Sequence, residues 1–426
     1  MRAEVLGVGT ELLLGQIPNT NAQWISQALA DIGVDVLQHQ VVGDNLERIA
    51  AAFRLALSRA DVVISTGGLG PTGDDITREG LAAALGIRLI RDPSIERLLR
   101  ERYAVRGREM PESNLRQCDV PEGARAILPQ RGTAPGIAIE APGGARVYLL
   151  AGVPAEMREM MEGTILPELT RLAGPAAIVS HAVKTVGIAE ARVGELLADL
   201  FEGSVNPTIA YLAGGIQVRV RVTAKAPTRA EAEALIAPVV DEVRARLGDH
   251  VFGEGDDELE DVVGRMLRAA GRTLACAESL TGGSLAARLT AVPGASDYFL
   301  GSAVCYTGEA KHEILGVSRA TLDGPGVVSE ECALEMARGA RRLYGADVVV
   351  ALTGAAGPDP HGGRGPGTVC VALVAADGEV GRTVSALGDR AMVRRWAEQA
   401  ALDLLRRHLA GLPVPERLGP ATTGTA

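Results

Sequence analysis

The stretch Cys276-Ala-Glu-Ser-Leu-Thr-Gly-Gly283 places a carboxylate, two hydroxyls and two side-chain-free amides within a few residues. It follows the strand-like Arg272–Ala275 and precedes the helix-like Ser284–Arg288. Backbone N–H groups at a helix start have no intrahelical partner, and the helix dipole favours negative charge there. Glu278, Ser279, Thr281, Gly282 and Gly283 therefore form either an elaborate cap or the anion-holding part of a site.

A second stretch, Gly301-Ser-Ala-Val-Cys-Tyr306-Thr-Gly-Glu-Ala-Lys311, ends a strand at Tyr306 and starts a helix near Glu309. Lys311 falls in the first helical turn, where a cation is disfavoured. It either points into solvent or sits in a closed cleft, where desolvation lowers its pKa. At the reference value only one lysine in ~2,500 is neutral at pH 7. A lysine neutralised in this way could deprotonate Ser279, as in Ser-Lys versions of the nucleophile–base pair. The third stretch, Val348-Val-Val-Ala-Leu-Thr353-Gly-Ala-Ala-Gly357, repeats the design of apolar strand, hydroxyl and glycine turn. Thr353, Gly354 and Gly357 are expected to offer a hydroxyl and amides to a developing oxyanion or a phosphate. Cys276 is a rival nucleophile, but strand alternation and the absence of a nearby histidine favour a buried thiol.

Near the N-terminus, Ser65-Thr-Gly-Gly-Leu-Gly-Pro-Thr72-Gly-Asp-Asp75 follows an apolar strand. Thr66, Gly67, Gly68, Gly70 and Thr72 can wrap a phosphate with amides and hydroxyls. Asp44, Asp74 and Asp75, with Glu11 near by, are candidate holders of a divalent, magnesium-like cation. Asp74 and Asp75 could equally cap the next helix. Asn114, Arg116 and Gln117 read as ligand contacts or as a polar helix end.

The elements that must position these groups divide the chain into three. Residues 1–170 alternate strands (Ala3–Val8, Asp35–Val42, Asp61–Thr66) with helices (Ala22–Ile32, Leu46–Arg59, Asp75–Leu85). That order implies an α/β fold, a doubly wound parallel sheet with ligands at the carboxyl ends of its strands. Residues 174–252 read as a small α+β domain: a helix over Ala189–Leu200, a hairpin turning at Ala213-Gly-Gly215, and a helix over Thr228–Leu247. The acidic run Gly253–Glu258 looks like a linker. Residues 259–411 form a second α/β domain, with strands at 273–277, 297–306, 346–353, 367–375 and 380–387 and helices at 330–344 and 391–409. Residues 412–426 look like a disordered tail.

With 43 basic against 53 acidic residues, a net charge of −10, and 3% aromatics, the chain lacks the footprint of a nucleic-acid binder. Its five cysteines lie far apart in odd number, which fits a reducing compartment rather than disulfides or zinc. Apolar runs stop short of a membrane span, and the first residues read as strand and turn rather than a leader. A cytoplasmic location without membrane or nucleic-acid partners is expected.

The set CAESLTGG, SDYFLGSAVCYTGEAK and ALTGAAGP resembles the C-terminal domain of the CinA family, which is similar to stand-alone nicotinamide mononucleotide amidohydrolases. The resemblance implies hydrolysis of the carboxamide of nicotinamide mononucleotide to nicotinate mononucleotide and ammonia, without a cofactor. Ser279 would be the nucleophile and Lys311 its base, with Tyr306 and Thr353 orienting the substrate or polarising its carbonyl. Ser296 is another family hydroxyl position and an alternative nucleophile. Departures fall at Leu280, where the family often has Cys or Ser, and at Gly308, where it has Asn. Arg364-Gly-Pro-Gly367 stands where the family reads Lys-Pro-Val-Gly, so Arg364 keeps the rim charge without the proline geometry.

GTELLLGQ, STGGLGPTGDD and GTAPG resemble the N-terminal CinA domain, itself similar to molybdopterin-binding domains. The resemblance implies divalent-cation-dependent diphosphate cleavage of ADP-ribose. The middle domain resembles the family's K-homology-type module; lacking a Gly-x-x-Gly clamp, it reads as a spacer or dimer element, and the family implies a homodimer. The competing reading is a non-catalytic pterin- or nucleotide-binding protein, or a regulator of DNA uptake or damage responses.

Overall fold

Near-continuous apolar runs along the central strands, with glycine or a hydroxyl at the ends of several, produce two sheets clad by helices on both faces. The computed structural model describes residues 1–416 except 106, 130, 131, 133, 175, 214 and 215. Two compact units emerge, Met1–Val179 with Ala224–Ala234, and Ser180–Thr223 with Leu235–Ala426.

In the first unit, β1 (Arg2–Val8), β2 (Asp35–Val42), β3 (Val62–Thr66), β6 (Arg125–Ile127), β7 (Gly136–Glu140) and β8 (Arg146–Leu150) order as β2-β1-β3-β8-β7-β6. The first four are parallel; β7 and β6 continue the sheet antiparallel, so it is mixed rather than wholly parallel. A small ribbon pairs β4 (Leu89–Arg91) with β5 (Asp119–Pro121). Side-chain parity assigns Leu6, Val63, Val147 and Leu149 to one core, and Val5, Val62, Ile64 and Leu150 to the other.

In the middle segment, β9 (Ala177–Thr185), β10 (Thr208–Ala213), β11 (Val218–Ala226) and β12 (Val251–Glu254) form a sheet ordered β10-β11-β9-β12. The expected helix over Ala189–Leu200 is two, Glu190–Leu196 and Ala198–Glu202. Gly214 and Gly215 of the hairpin turn lie outside the described residues. The acidic run read as a linker is built into the fold. Glu254 belongs to β12, where Arg244 and His181 contact it, and Glu258 forms a capping box with Asp261 at the start of the helix Leu259–Ala270.

The C-terminal sheet comprises β13 (Leu274–Glu278), β14 (Phe299–Val304), β15 (Val348–Gly354), β16 (Thr368–Ala375) and β17 (Gly378–Ser385), ordered β14-β13-β15-β16-β17. The first three are parallel and the last two antiparallel. Cys276, Val350, Leu352 and Val371 face one core, while Ala277, Val349, Ala351 and Ala372 face the other, shared with the helix Glu330–Tyr344. Cys276 is thus a core thiol whose pKa burial and the nearby Glu278 push up, as strand parity suggests. The helix Arg390–Ala410 closes the first face, its N-terminus capped by Asp389. No helix among the described residues is long and apolar enough to cross a membrane. The tail beyond residue 416 lies outside the described residues.

Candidate active site

β13 delivers Ser279 to the carboxyl edge of the C-terminal sheet and holds it from both sides. The Ser279 N–H donates to the Leu352 carbonyl of β15 (3.1 Å), and the Cys305 N–H donates to the Glu278 carbonyl (2.8 Å). Positive φ angles at Gly282 (61°) and Gly283 (95°) then fold the chain into the helix Ser284–Ala291.

Glu278 overturns the expectation that this helix start is open to a ligand anion. Its fully buried carboxylate accepts the N–H groups of Gly283 (3.0 Å), Leu285 (3.1 Å) and Ala286 (3.0 Å) and the Ser302 hydroxyl (2.8 Å). The chain supplies its own anion, so Glu278 and the Gly283 amide are structural. In the turn itself, Gly282 donates to the Ser279 carbonyl (3.0 Å), while the Leu280 and Thr281 N–H groups have no acceptor among the described residues. Thr281 is fully buried and its hydroxyl has no partner there.

β14 runs on through Cys305 and Tyr306 to the helix Gly308–Leu315, capped by Thr307. Lys311 on its first turn reaches back into the sheet edge. Its Nζ donates to Ser279 Oγ at 2.8 Å, to the Cys305 carbonyl at 3.1 Å and to the Tyr306 carbonyl at 3.4 Å. Both side chains are buried, Lys311 at 2% and Ser279 at 6% exposure, and no carboxylate among the described residues pairs with the ammonium. Burial pushes the Lys311 pKa down; the Cys332 and Cys305 thiols push weakly the other way. A lysine so placed is suited to be a neutral base toward the hydroxyl it touches.

The dyad opens into a cavity of about 610 Å³, within the range of small-molecule sites. Tyr306, Gly354, Gly357, Pro358, Asp359, His361 and Arg390 line it. Arg390 was invisible to sequence reasoning: its guanidinium donates to the Tyr306 hydroxyl (2.7 Å) and the Gly357 carbonyl (2.8 Å). The only sequence signal was an arginine directly after a capping aspartate. Arg364, expected at the rim, is not among the lining residues and lies in a short bridge with His361. Thr353 also departs from expectation: its buried hydroxyl donates to the Val327 carbonyl (2.7 Å), so it fastens a loop rather than facing the cavity. Ser296 lies exposed in the short helix Ala295–Asp297 before β14. Because β14 runs parallel to β13, that is the opposite end of the sheet from Ser279, about 20 Å away at the usual rise per residue.

The first unit carries a second cavity, of about 430 Å³, at the carboxyl ends of β1 and β3. Glu11, Asp44, Gly67, Gly68, Gly70, Asp74, Asp75, Gln117 and Glu156 are among its lining. Thr77 bonds the Gly67 and Gly68 carbonyls, and Arg78 bonds those of Leu69 (2.8 Å) and Gly70 (3.1 Å). A trans peptide points its N–H opposite its carbonyl, so the N–H groups of Gly68, Leu69 and Gly70 turn to the other side, and none has an acceptor among the described residues. Gly67 is obligatory: at φ 100° an added Cβ would lie 2.1 Å from the Val8 carbonyl oxygen.

Other expected contacts of this loop are turned away. Thr66 is buried, and the Thr72 amide and hydroxyl bond Asp75. Arg116 holds the Thr72 carbonyl and Glu79, and Asn114 bonds Tyr103 and Gln117; none of the four lines the cavity. Asp44 is occupied by the Thr10 amide (2.9 Å) and hydroxyl (2.8 Å). Among the described residues no group of three or more His, Cys, Asp or Glu side chains converges to hold a metal. Asp44, Asp74 and Asp75 line one cavity without converging as a set of three ligands. Glu156, missed in the sequence, has its pKa raised by burial and by Glu159.

Two α/β modules, each with a glycine turn after a central parallel strand, flank a small α+β segment. Family models match in the same order: "Probable molybdopterin binding domain" over residues 4–171, "Damage-inducible protein CinA KH domain" over 180–253 and "CinA C-terminal domain" over 256–409. A CinA-like protein of Frankia casuarinae is 50% identical over 433 residues, covering 100% of this chain and 99% of that protein. Another, from Desulfovibrio desulfuricans, is 46% identical, with 97% of each chain covered. A solved structure, the protein CinA with unknown function from Thermoplasma acidophilum, is 37% identical over 39% of this chain and 97% of that one, with a TM-score of 0.37. The chain belongs to the CinA family.

Proposed function

We propose that the C-terminal domain hydrolyses the carboxamide of nicotinamide mononucleotide to nicotinate mononucleotide and ammonia. The observation that carries this reading is the 2.8 Å contact between the buried Lys311 Nζ and Ser279 Oγ, with no carboxylate among the described residues paired to the lysine. Neutral Lys311 takes the hydroxyl proton as Ser279 Oγ bonds to the amide carbon. The Leu280 N–H, directly beyond the nucleophile and without an acceptor among the described residues, is placed to serve as a donor for the developing oxyanion. Collapse breaks the C–N bond, and Lys311 returns the proton so that ammonia leaves. Lys311 then deprotonates a water that attacks the ester, freeing the carboxylate and restoring Ser279. The Arg390 guanidinium at the cavity is the group suited to the substrate phosphate.

Ammonia release from nicotinamide mononucleotide, without added metal, tests the reading beside Ser279→Ala and Lys311→Ala. Loss on the order of 10⁴-fold in both folded variants is expected. Release that survives Ser279→Ala removes the serine nucleophile, and no release by folded parent protein removes the amidohydrolase.

A second reading concerns the N-terminal domain, where the amides of Gly68, Leu69 and Gly70, without acceptors among the described residues, favour the diphosphate of a nucleotide such as ADP-ribose. Its carboxylates give no ligand set through which cleavage could be derived.

A further inference from the structure

The nucleophile turn carries two consecutive glycines, Gly282 and Gly283, and so has little stiffness of its own. Its amide side is held by Glu278. Its carbonyl side is held from the helix Arg390–Ala410: an Arg394 Nη donates to the Thr281 carbonyl, which the Ser284 hydroxyl also reaches at 3.0 Å. Beyond the Thr281 carbonyl lies the Gly282 N–H of the same peptide, and this donates to the Ser279 carbonyl at 3.0 Å. A continuous line therefore runs from the guanidinium through one peptide plane to the backbone of the nucleophile. If that plane rotates, the bond that holds the Ser279 carbonyl is broken, while the strand bonds on its amide side remain.

Two further facts bear on Arg394. It pairs with no carboxylate among the described residues, and its Nε is buried without a partner there, so the Thr281 carbonyl is the acceptor that holds its guanidinium. It also stands four residues after Arg390, on the same helix face, and Arg390 grips Tyr306 and Gly357 at the cavity. One face of one helix thus holds the cavity wall with its first residue and the nucleophile turn with its fifth.

We propose that Arg394 is a positioning residue that sets the Ser279 hydroxyl in register with Lys311, acting through the Thr281–Gly282 peptide. This rests on Ser279 being the nucleophile. Arg394 does not touch the cavity, so its removal lowers kcat and leaves KM unchanged, whereas removal of Arg390 raises KM.

The test is the rate at which a small sulfonyl fluoride labels Ser279, read by intact mass and peptide mapping and normalised to the folded fraction. Arg394→Gln is expected to slow labelling and kcat together by about 10–100-fold, with KM within twofold of the parent. Arg394→Lys, which keeps a donor for the Thr281 carbonyl, is expected to recover part of both. Labelling of folded Arg394→Gln at the parent rate overturns the proposal, as does a thermal shift without a change in labelling. Should Arg394→Gln not fold, Arg394→Lys carries the test: equal labelling to the parent with raised KM overturns it. A parent that is not labelled at Ser279 refutes the nucleophile reading itself, a separate outcome.

Discussion

Replacing Glu278 by Gln keeps its size and removes its charge at a fully buried position. One carboxylate oxygen accepts Gly283 and Leu285, and the other accepts Ala286 and the Ser302 hydroxyl. An amide can meet only one of these pairs with an oxygen. Placed to keep Gly283 and Leu285, it turns its NH₂ toward the Ala286 N–H, while the Ser302 hydroxyl can rotate to accept. One backbone donor is then stranded, at about 1–3 kcal/mol. Loss of charge weakens the bonds that remain and removes a favourable anion from the helix start, roughly a further 1–2 kcal/mol. Relief of carboxylate desolvation offsets part of this, leaving a net loss of roughly 3 kcal/mol. At about 2–4 °C per kcal/mol for a unit of this size, the thermal midpoint should fall by about 6–12 °C. Trp396 lies on the helix Arg390–Ala410, so its fluorescence in a Trp24→Phe background reports the C-terminal unit during urea unfolding. A loss below about 1 kcal/mol would refute the reasoning. A helix start left open for a ligand anion gives the contrary result, intact stability with weakened ligand binding.

Lys311→Met should abolish activity and alter the pH dependence of stability in a defined direction. The folded pKa of Lys311 lies below its unfolded value, so below the folded pKa both states are charged and the folded state bears the full desolvation penalty. The penalty fades as pH rises from the folded pKa toward the unfolded one, near 10.4. The stability of Lys311→Met relative to the parent should therefore be most favourable at low pH and decline as pH rises; urea midpoints across pH 6–10 that move in parallel would contradict this. In the first unit, Gly67→Ala sets a Cβ 2.1 Å from the Val8 carbonyl at a positive φ. It should cost more than about 2 kcal/mol, and a denaturation midpoint equal to the parent's would show that the β3 turn relaxes at little cost.

Much of the site could be read from the sequence because strand ends fix it. Ser279 and Lys311 each follow a strand of the same parallel set, and parallel strands bring their carboxyl ends together whatever the intervening chain. Parity also carried information that the motifs obscured. Glu278 shares a face with Leu274 and Cys276, the side covered by the helix it caps, and Thr353 shares one with Val349 and Ala351, facing inward. Ser296 precedes its strand, so strand direction alone places it at the wrong end. Arg390 and Arg394 were not readable, because a helix more than 100 residues after Ser279 brings them in through tertiary packing. In the first unit the order of strand ends gathers Asp44 and Asp75, but a bond from Thr10, 34 residues before Asp44, and a local one from Thr72 decide where those carboxylates point. Such individual side-chain bonds leave no periodic trace.

The switch from parallel to antiparallel between β15 and β16 has a consequence for how this architecture can diversify. Gly354 pairs with Val369 across that switch, so both ends of the intervening loop are fastened at one sheet edge, by Ala355 to Thr368 (2.8 Å) and by Gly367 to Ala355 (2.8 Å). The loop carries Ala356 through His361, much of the cavity wall, yet none of the dyad. Insertions, deletions and substitutions there reshape the wall without shifting strand register, since loops closed at their base tolerate change in length at small free-energy cost. It is also where Arg364-Gly-Pro-Gly367 departs from the family pattern. Ligand preference can drift along this segment while the Ser279–Lys311 pair stays in place, a separation that lets one fold try new ligands without first disturbing the pair.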